Sequence, residues 1–350
     1  MTPYLILLGI CLMCFFFAEK KWAGPVSLLA LFVISAFRGD TVGTDTWRYL
    51  HETGQWREMM ASINGMEASS TSSVEVITNA VYFLITALDL HPRTILLFFS
   101  GITIGALPLI SKRLKAPTAV LAFFFLTSSL YIHSLNVARQ VAAVMVVGYG
   151  ATFVCDDSKL KSLLFFPFIA AAAGIHATSL FFIPLYLCRF IKPNYSLTAI
   201  LSVGLILLFT LNVFSVSGIL QKAIVYIPSY ADTYGRYIGA VEEITLLGRI
   251  VPFVIVCVQV YLLKYIDSKY YALFIVSIVL PVLTNGMHHY FQRLFFPFTL
   301  IAFMIFPLSY MSEKKRKTIR RILSVMVIPL VYMFIRSLSA PDTCPYVFGF

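Results

Sequence analysis

PYLILLGICLMCFFFAEKKWAGPVSLLALFVISAF, residues 3–37, holds two apolar runs on either side of Glu19, Lys20 and Lys21. Each run, 3–18 and 23–37, is long enough as an α-helix to cross or nearly cross a hydrocarbon core of roughly 30 Å. A basic turn between two spans lies on the cytoplasmic side. This hairpin therefore predicts both a membrane setting and the orientation of the chain. The first run lacks a basic leader and a small-x-small cleavage site, so it reads as a retained helix.

The pattern continues through all 350 residues, of which 59% are hydrophobic and 12% charged, with a mean hydropathy of +0.85. That composition excludes a soluble domain. Further apolar runs fall near 94–111, 117–132, 137–154, 161–174, 175–190, 197–214, 246–264, 270–284, 290–308 and 322–339. With the first two they make about twelve spans in one all-α polytopic bundle, a single integral membrane domain over 1–350. The stretch 74–90 is also apolar, but a full span there would move residues 38–73 to the cytoplasm against the charge bias. It is expected to be a re-entrant or interfacial helix that turns back at Leu90-His91-Pro92-Arg93.

The net charge of +11 would suggest nucleic acid in a soluble protein. Here most of the 27 basic residues lie in short loops, such as Lys112, Arg113 and Lys115 or the run from Lys314 to Arg321, which read as cytoplasmic. No nucleic-acid partner is expected. The outer face, with its two loops 38–73 and 215–245, uses arginine almost alone among cations and holds eleven of the 16 acidic residues. Arginine grips phosphate and carboxylate through a fixed fork, so the outer face reads as an anion site. The six cysteines fall in or beside apolar runs, and the Cys11-x-x-Cys14 pair has no His or carboxylate nearby, so packing is expected in place of disulfides or metal.

Several polar residues stand out, because an ionisable group held against lipid costs from about 2.5 kcal/mol upward. Asn136, Arg139 and Gln140 are spaced i, i+3, i+4, a polar stripe on one helix face near its outer end, with His133 a turn earlier. His176 follows Gly174 at a tight outer turn, with Ser179 close behind. Arg249 and Arg293 sit near outer helix ends, where snorkelling to the headgroups is the plainer reading. The doublet His288-His289 lacks a third metal ligand. In the first outer loop Asp45, Tyr49, Thr53, Trp56 and Met60 share one face of a short helix opened by Asp45, with aromatics suited to the membrane interface. In the second, Tyr226, Tyr230, Tyr234 and Tyr237 with Arg236 suit either sugar stacking or an aromatic belt.

The stretch Phe37-Arg38 to Val42-Gly43-Thr44-Asp45-Thr46 with Tyr49, then Asn136-x-x-Arg139-Gln140-x-Ala142, then Gly174-Ile175-His176 with Ser179, resembles the EpsG family of bacterial exopolysaccharide and O-antigen polymerases, the Wzy type. The resemblance runs from the first helix to about residue 310. It implies a GT-C-like helical bundle in the bacterial inner membrane with its site facing outward. It also implies joining of repeat units carried on undecaprenyl diphosphate, without a cofactor, beside a flippase and a chain-length regulator as partners. Ser73-Val74-Glu75 departs from the family pattern, which leaves Glu75 without an assigned role.

That chemistry needs cations for a leaving diphosphate and a base for the attacking hydroxyl. No Asp-x-Asp metal pair is present in the sequence, and the reaction is read as metal-independent. The candidates are Asp45, His176 and Arg139 as catalytic residues, with Asp45 and His176 both open as the base. Arg38, Thr44, Tyr49, Asn136, Gln140, Tyr234, Arg236, Arg249 and Arg293 are the candidates for substrate contact. Two rivals use the same residues: a transporter or flippase of lipid-linked oligosaccharide, and a membrane acyltransferase acting on an extracellular glycan. The first would favour inverted repeats, which are not seen. The second would need a donor path from the cytoplasm, the side away from His176.

Overall fold

The computed structural model describes residues 2–61, 74–196, 246–283, 292–313, 315–338 and 346–348, with positions 200, 203 and 204. The described chain is helical, and its only strand-like feature among those residues is an isolated antiparallel bridge between Arg38 and Phe348. It divides into two compact units, Met1–Tyr186 with Leu330–Phe350, and Leu187–Pro329.

In the first unit, α1 (Thr2–Phe16) and α2 (Ala23–Ala36) form the hairpin that the opening runs predict. Next come α3 (Thr44–Ala61), α4 (Val76–Ala87), α5 (Thr94–Leu114), α6 (Thr118–Thr127), α7 (Leu130–Asn136), α8 (Ala138–Val154), α9 (Lys159–Ser162) and α10 (Phe165–Ile175). A 3-10 helix, Ala177–Phe190, follows where the sequence predicts an α-helical span. The second unit contains Leu246–Leu262, Tyr271–Leu283, Phe296–Phe303 and Ile305–Tyr310, and Gln259 donates to the Ala302 carbonyl at 3.1 Å within it.

Among the described residues, α5 and the helix Arg316–Ser337 are each long and apolar enough to cross a membrane. The pair α6 and α7 also passes if counted as one span bent by 67°. Shorter apolar helices match the expected runs at 3–18, 23–37 and 137–154. Large apolar side chains point outward from several of them, among them Leu29 at 64% and Ile6 at 58% exposure. Exposed surface of that kind belongs against lipid. Between helices, polar bonds replace the hydrophobic drive that lipid removes. Ser35 on α2 meets Ser100 on α5 at 2.7 Å, and the Tyr131 hydroxyl on α7 donates to the Leu31 carbonyl on α2 at 2.9 Å.

Two expectations need correction. The run 117–132 does not form one helix, since Ser129 takes a left-handed φ of +69° that ends α6 and starts α7. Nor do Asn136, Arg139 and Gln140 share a helix, because the chain breaks at Val137 (φ −99°, ψ 60°), leaving Asn136 at the end of α7 and the other two in the first turn of α8. The span 197–214 and the loop 215–245 fall almost wholly outside the described residues, as do Tyr226, Tyr230, Tyr234, Arg236, Tyr237, His288 and His289.

Candidate functional site

The loop after α2 is fastened first. Arg38 is fully buried, donates from Nε to Thr46 Oγ1 at 3.0 Å and from Nη1 to the Ser35 carbonyl at 2.5 Å. Among the described residues its Nη2 has no hydrogen-bond partner. Burial pushes the guanidinium down to about 10, so it keeps its charge at neutral pH. Arg93, just before α5, donates to the Arg38 carbonyl at 2.8 Å and pairs with Asp40. From the other end of the chain, the Val347 carbonyl accepts from Gly39 N–H and the Tyr346 hydroxyl donates to the Ile34 carbonyl at 2.8 Å. The C-terminal segment thus straps the loop.

The Val42-Gly43-Thr44-Asp45 block docks directly on Leu135-Asn136. Gly43 has φ +81°, and a Cβ there would stand 2.1 Å from the Leu135 carbonyl oxygen, so glycine is required for both conformation and approach. Thr46 Oγ1 lies 2.6 Å from the Val42 carbonyl and 3.3 Å from that of Leu135. The Asp45 N–H donates to Asn136 Oδ1 at 3.2 Å. Two motifs about 90 residues apart in sequence are one structure.

From Asp45, α3 carries Tyr49 inward. Tyr49 is 3% exposed, and its ring lies 5.6 Å from the Arg139 guanidinium, a cation–π distance. Burial together with the Asp45 charge, against the lowering effect of Arg139, pushes its hydroxyl up to about 12. The face of α3 expected at the membrane interface is therefore packed into the protein at Tyr49 and Thr53, because its polar atoms have partners there. Thr53 donates to the Tyr49 carbonyl at 2.9 Å. One turn on, Glu52 is buried, accepting from Tyr82 at 2.7 Å and pairing with Arg48 at 2.8 Å.

The centre of the site is a residue that has no role in the sequence reading. Glu75, just before α4, faces His176 Nδ1 with Oε1 at 2.8 Å and Arg139 Nη1 with Oε2 at 3.5 Å, and Oε1 also accepts from the Ala177 N–H at 3.1 Å. Burial raises the Glu75 pKa, but the His176 bond and charge, the Arg139 charge and the Ala177 N–H outweigh it and hold the carboxyl below the usual range. A carboxylate can only accept, so Nδ1 of His176 carries the hydrogen, which leaves Nε2 as the ring atom that can take up or give a proton. Gly174 brings the partners together: a Cβ there would stand 2.9 Å from Ile77 Cγ1, and Thr78 Oγ1 donates to the Ile175 carbonyl at 2.8 Å. The only forewarning of Glu75 in the sequence is a lone carboxylate at the head of an apolar run.

The structure thus brings together Arg38, Asp45, Tyr49, Asn136, Arg139 and His176, and adds Glu75. Gln140 is buried on the first turn of α8 beside Arg139. Thr44 opens α3, and its backbone alone is described. In the second unit, Arg249 lies on the first turn of Leu246–Leu262 by its backbone alone, and Arg293 is half-buried just ahead of Phe296–Phe303. Cys11, Cys14, Cys155 and Cys188 are buried. Among the described residues no cluster of His, Cys, Asp and Glu is arranged to hold a metal ion.

No curated protein and no solved structure matches the chain. A family model does, over residues 21–348, and with nearly its whole length matched the chain belongs to the EpsG family.

Proposed function

We propose that this protein is a polysaccharide polymerase of the bacterial inner membrane, transferring a glycan from undecaprenyl diphosphate onto a lipid-linked repeat unit at the outer face. Membership of the EpsG family supports a membrane protein of the polysaccharide-polymerase type. The observation that carries the finer reading is one carboxylate, Glu75, holding Arg139 and His176 together at the junction of the two family motifs.

In this reading the acceptor hydroxyl attacks the anomeric carbon as the bond to the diphosphate oxygen breaks. The hydroxyl proton goes to Nε2 of His176, and Glu75 fixes the ring and offsets the imidazolium that forms, the arrangement of a carboxylate–histidine pair in acyl transfer. Arg139 sets its guanidinium against the departing diphosphate, where fixed positive charge is worth most, so no metal is called for. Asp45, with its N–H on Asn136, serves as anchor of the loop and not as base. Arg38, enclosed by the strap, positions the loop. An apolar groove of about 400 Å³ between α1 and α2, walled by Ile6, Ile10, Leu29, Val33, Ile34 and Phe348, suits a polyprenyl tail.

The topology that fits is the twelve-span bundle with α4 outside the count. Glu75 before α4 and Arg93 after its turn both meet the polar layer around Arg38, Asn136 and Arg139, and twelve residues of helix reach only about 18 Å. A flippase and a chain-length regulator would complete the pathway.

The test is polymerisation by purified protein in nanodiscs, with its own lipid-linked repeat unit and EDTA. A ladder of longer glycans is expected. Unchanged substrate, from folded protein that binds the lipid, would transfer the same residues to the transporter reading.

A further inference from the structure

The helix α3 has a second face that the reaction centre leaves unused. Trp47, His51 and Gln55 recur at i, i+4 and i+8, opposite the face that buries Tyr49 and Thr53. The Trp47 indole is 62% exposed and lies parallel to the His51 ring, with centroids 4.9 Å apart and 9° between planes. His51 Nε2 in turn stands 3.3 Å from Gln55 Nε2. The three side chains form a continuous strip about 12 Å long, already stacked and in register.

The surroundings exclude hydrocarbon as its natural contact. Arg48 beside Trp47 is exposed, and an exposed arginine with a carboxamide at Gln55 does not enter a bilayer core. His51 covers one face of the indole, and the other face is left as a flat, polarisable surface for packing against apolar C–H groups, flanked by an imidazole and a carboxamide that both donate and accept. Pyranose rings ask for that combination: an apolar face edged by hydroxyls. Asp45 and Tyr49, two residues to either side of Trp47, belong to the face joined to Asn136 and Arg139. The strip is therefore one helix thickness, about 10–12 Å, from the face of α3 that meets Asn136 and Arg139.

We propose that Trp47, His51 and Gln55 form a subsite for the saccharide chain, holding sugar units of the glycan beside the reaction centre. The inference rests on the polymerase reading and adds to it a determinant of product length. Stacking on Trp47 slows departure of the chain between transfers, so the strip governs how many units are added per encounter.

The experiment titrates nanodisc-held protein with the free oligosaccharide released by mild acid from its own lipid-linked repeat unit. Binding is read by calorimetry for wild type, Trp47→Ala, Trp47→Phe and Gln55→Ala. The polymer ladder is run in parallel. Trp47→Ala is expected to weaken oligosaccharide binding by about two- to tenfold, the range that an aromatic face contributes beyond burial, and to shorten the ladder. Trp47→Phe should keep most of both. Unchanged affinity and an unchanged ladder in Trp47→Ala would overturn the subsite and leave the polymerase standing. So would quenching of Trp47 fluorescence by brominated acyl chains with no response to oligosaccharide, which would make the strip a membrane anchor. Loss of oligosaccharide binding in Trp47→Ala, from a wild type that makes no polymer, would retain the subsite and remove the polymerase.

Discussion

Helix α8 has an arginine–carboxylate pair at each end, and the two are built differently. Past its C-terminus, Asp156 receives Arg113 of α5 at 2.9 Å, and the same guanidinium reaches the Thr152 carbonyl at 3.4 Å and lies 4.1 Å from the Phe153 ring centroid. Those side chains are 30% and 18% exposed, and the Arg113 bond holds the Asp156 carboxyl below its usual range. At the N-terminus, Arg139 and Glu75 are 12% and 6% exposed, yet their separation is 3.5 Å, and Glu75 makes its short contact to His176 instead. In the first pair the short contact is between the two charges themselves. In the second a single carboxylate is divided between an arginine and a histidine, which leaves the buried cation with attraction to offer an incoming anion. In the proposed mechanism the tight pair is the structural one and the shared pair the working one.

The largest expected effect tests that contrast at Arg139. Arg139→Ala should lower polymer formation by about 10²–10³-fold, the cost of removing one fixed stabiliser of a developing oxyanion, with the amount of protein in the membrane unchanged. Arg139→Lys should fail nearly as badly, because an ammonium keeps the charge and loses the planar fork over Tyr49. Near-normal polymer from Arg139→Ala would remove this arginine from the mechanism.

A smaller effect is expected at Glu75, and its sign follows from the direction of the shift. The folded carboxyl is held below the ordinary glutamate value, so its contribution to stability is in force above that value, about 4.3, and is lost as the pH falls through the depressed folded value. Wild type should therefore melt above Glu75→Gln at neutral pH, and the two midpoints should converge toward pH 3. Thermal unfolding in detergent from pH 7 to 3 measures this. A gap that does not change with pH would mean that His176 and Arg139 do not hold the carboxylate.

These two residues also show how far the sequence could be read. Arg139 and Asn136 were legible because polar groups in an apolar run must have partners, and the Gly43 block was legible because its glycine and acidic residue announce a turn into a helix. Their spacing misled, since i, i+3, i+4 assumes one helix, and neither glycine nor proline marks the break at Val137. The role of Glu75 was not legible. Its partners lie 64 and 101 positions away, and only the gathering of the start of α8 and the end of α10 at the start of α4 brings them within reach. The fold class follows from local composition, which a sequence displays. The site follows from long-range contacts, which it does not.

The smallest expected effect lies at the other end of α8. Arg113→Ala and Asp156→Asn each break a pair at the water-exposed edge, where such bonds are worth about 0–1 kcal/mol, so the unfolding midpoint should move little and the polymer ladder should not change. Lys112 and Lys115 remain beside position 113, so loss of one charge leaves the basic bias of that loop in place. The sharper comparison is the double variant Arg113→Ala with Asp156→Asn: if each partner serves only the other, it should be no worse than either single change. An Arg113→Ala protein that sits in the membrane in normal amount and makes no polymer would show that a closed pair can be as essential as a shared one. Tightness of pairing would then lose its value for locating the site.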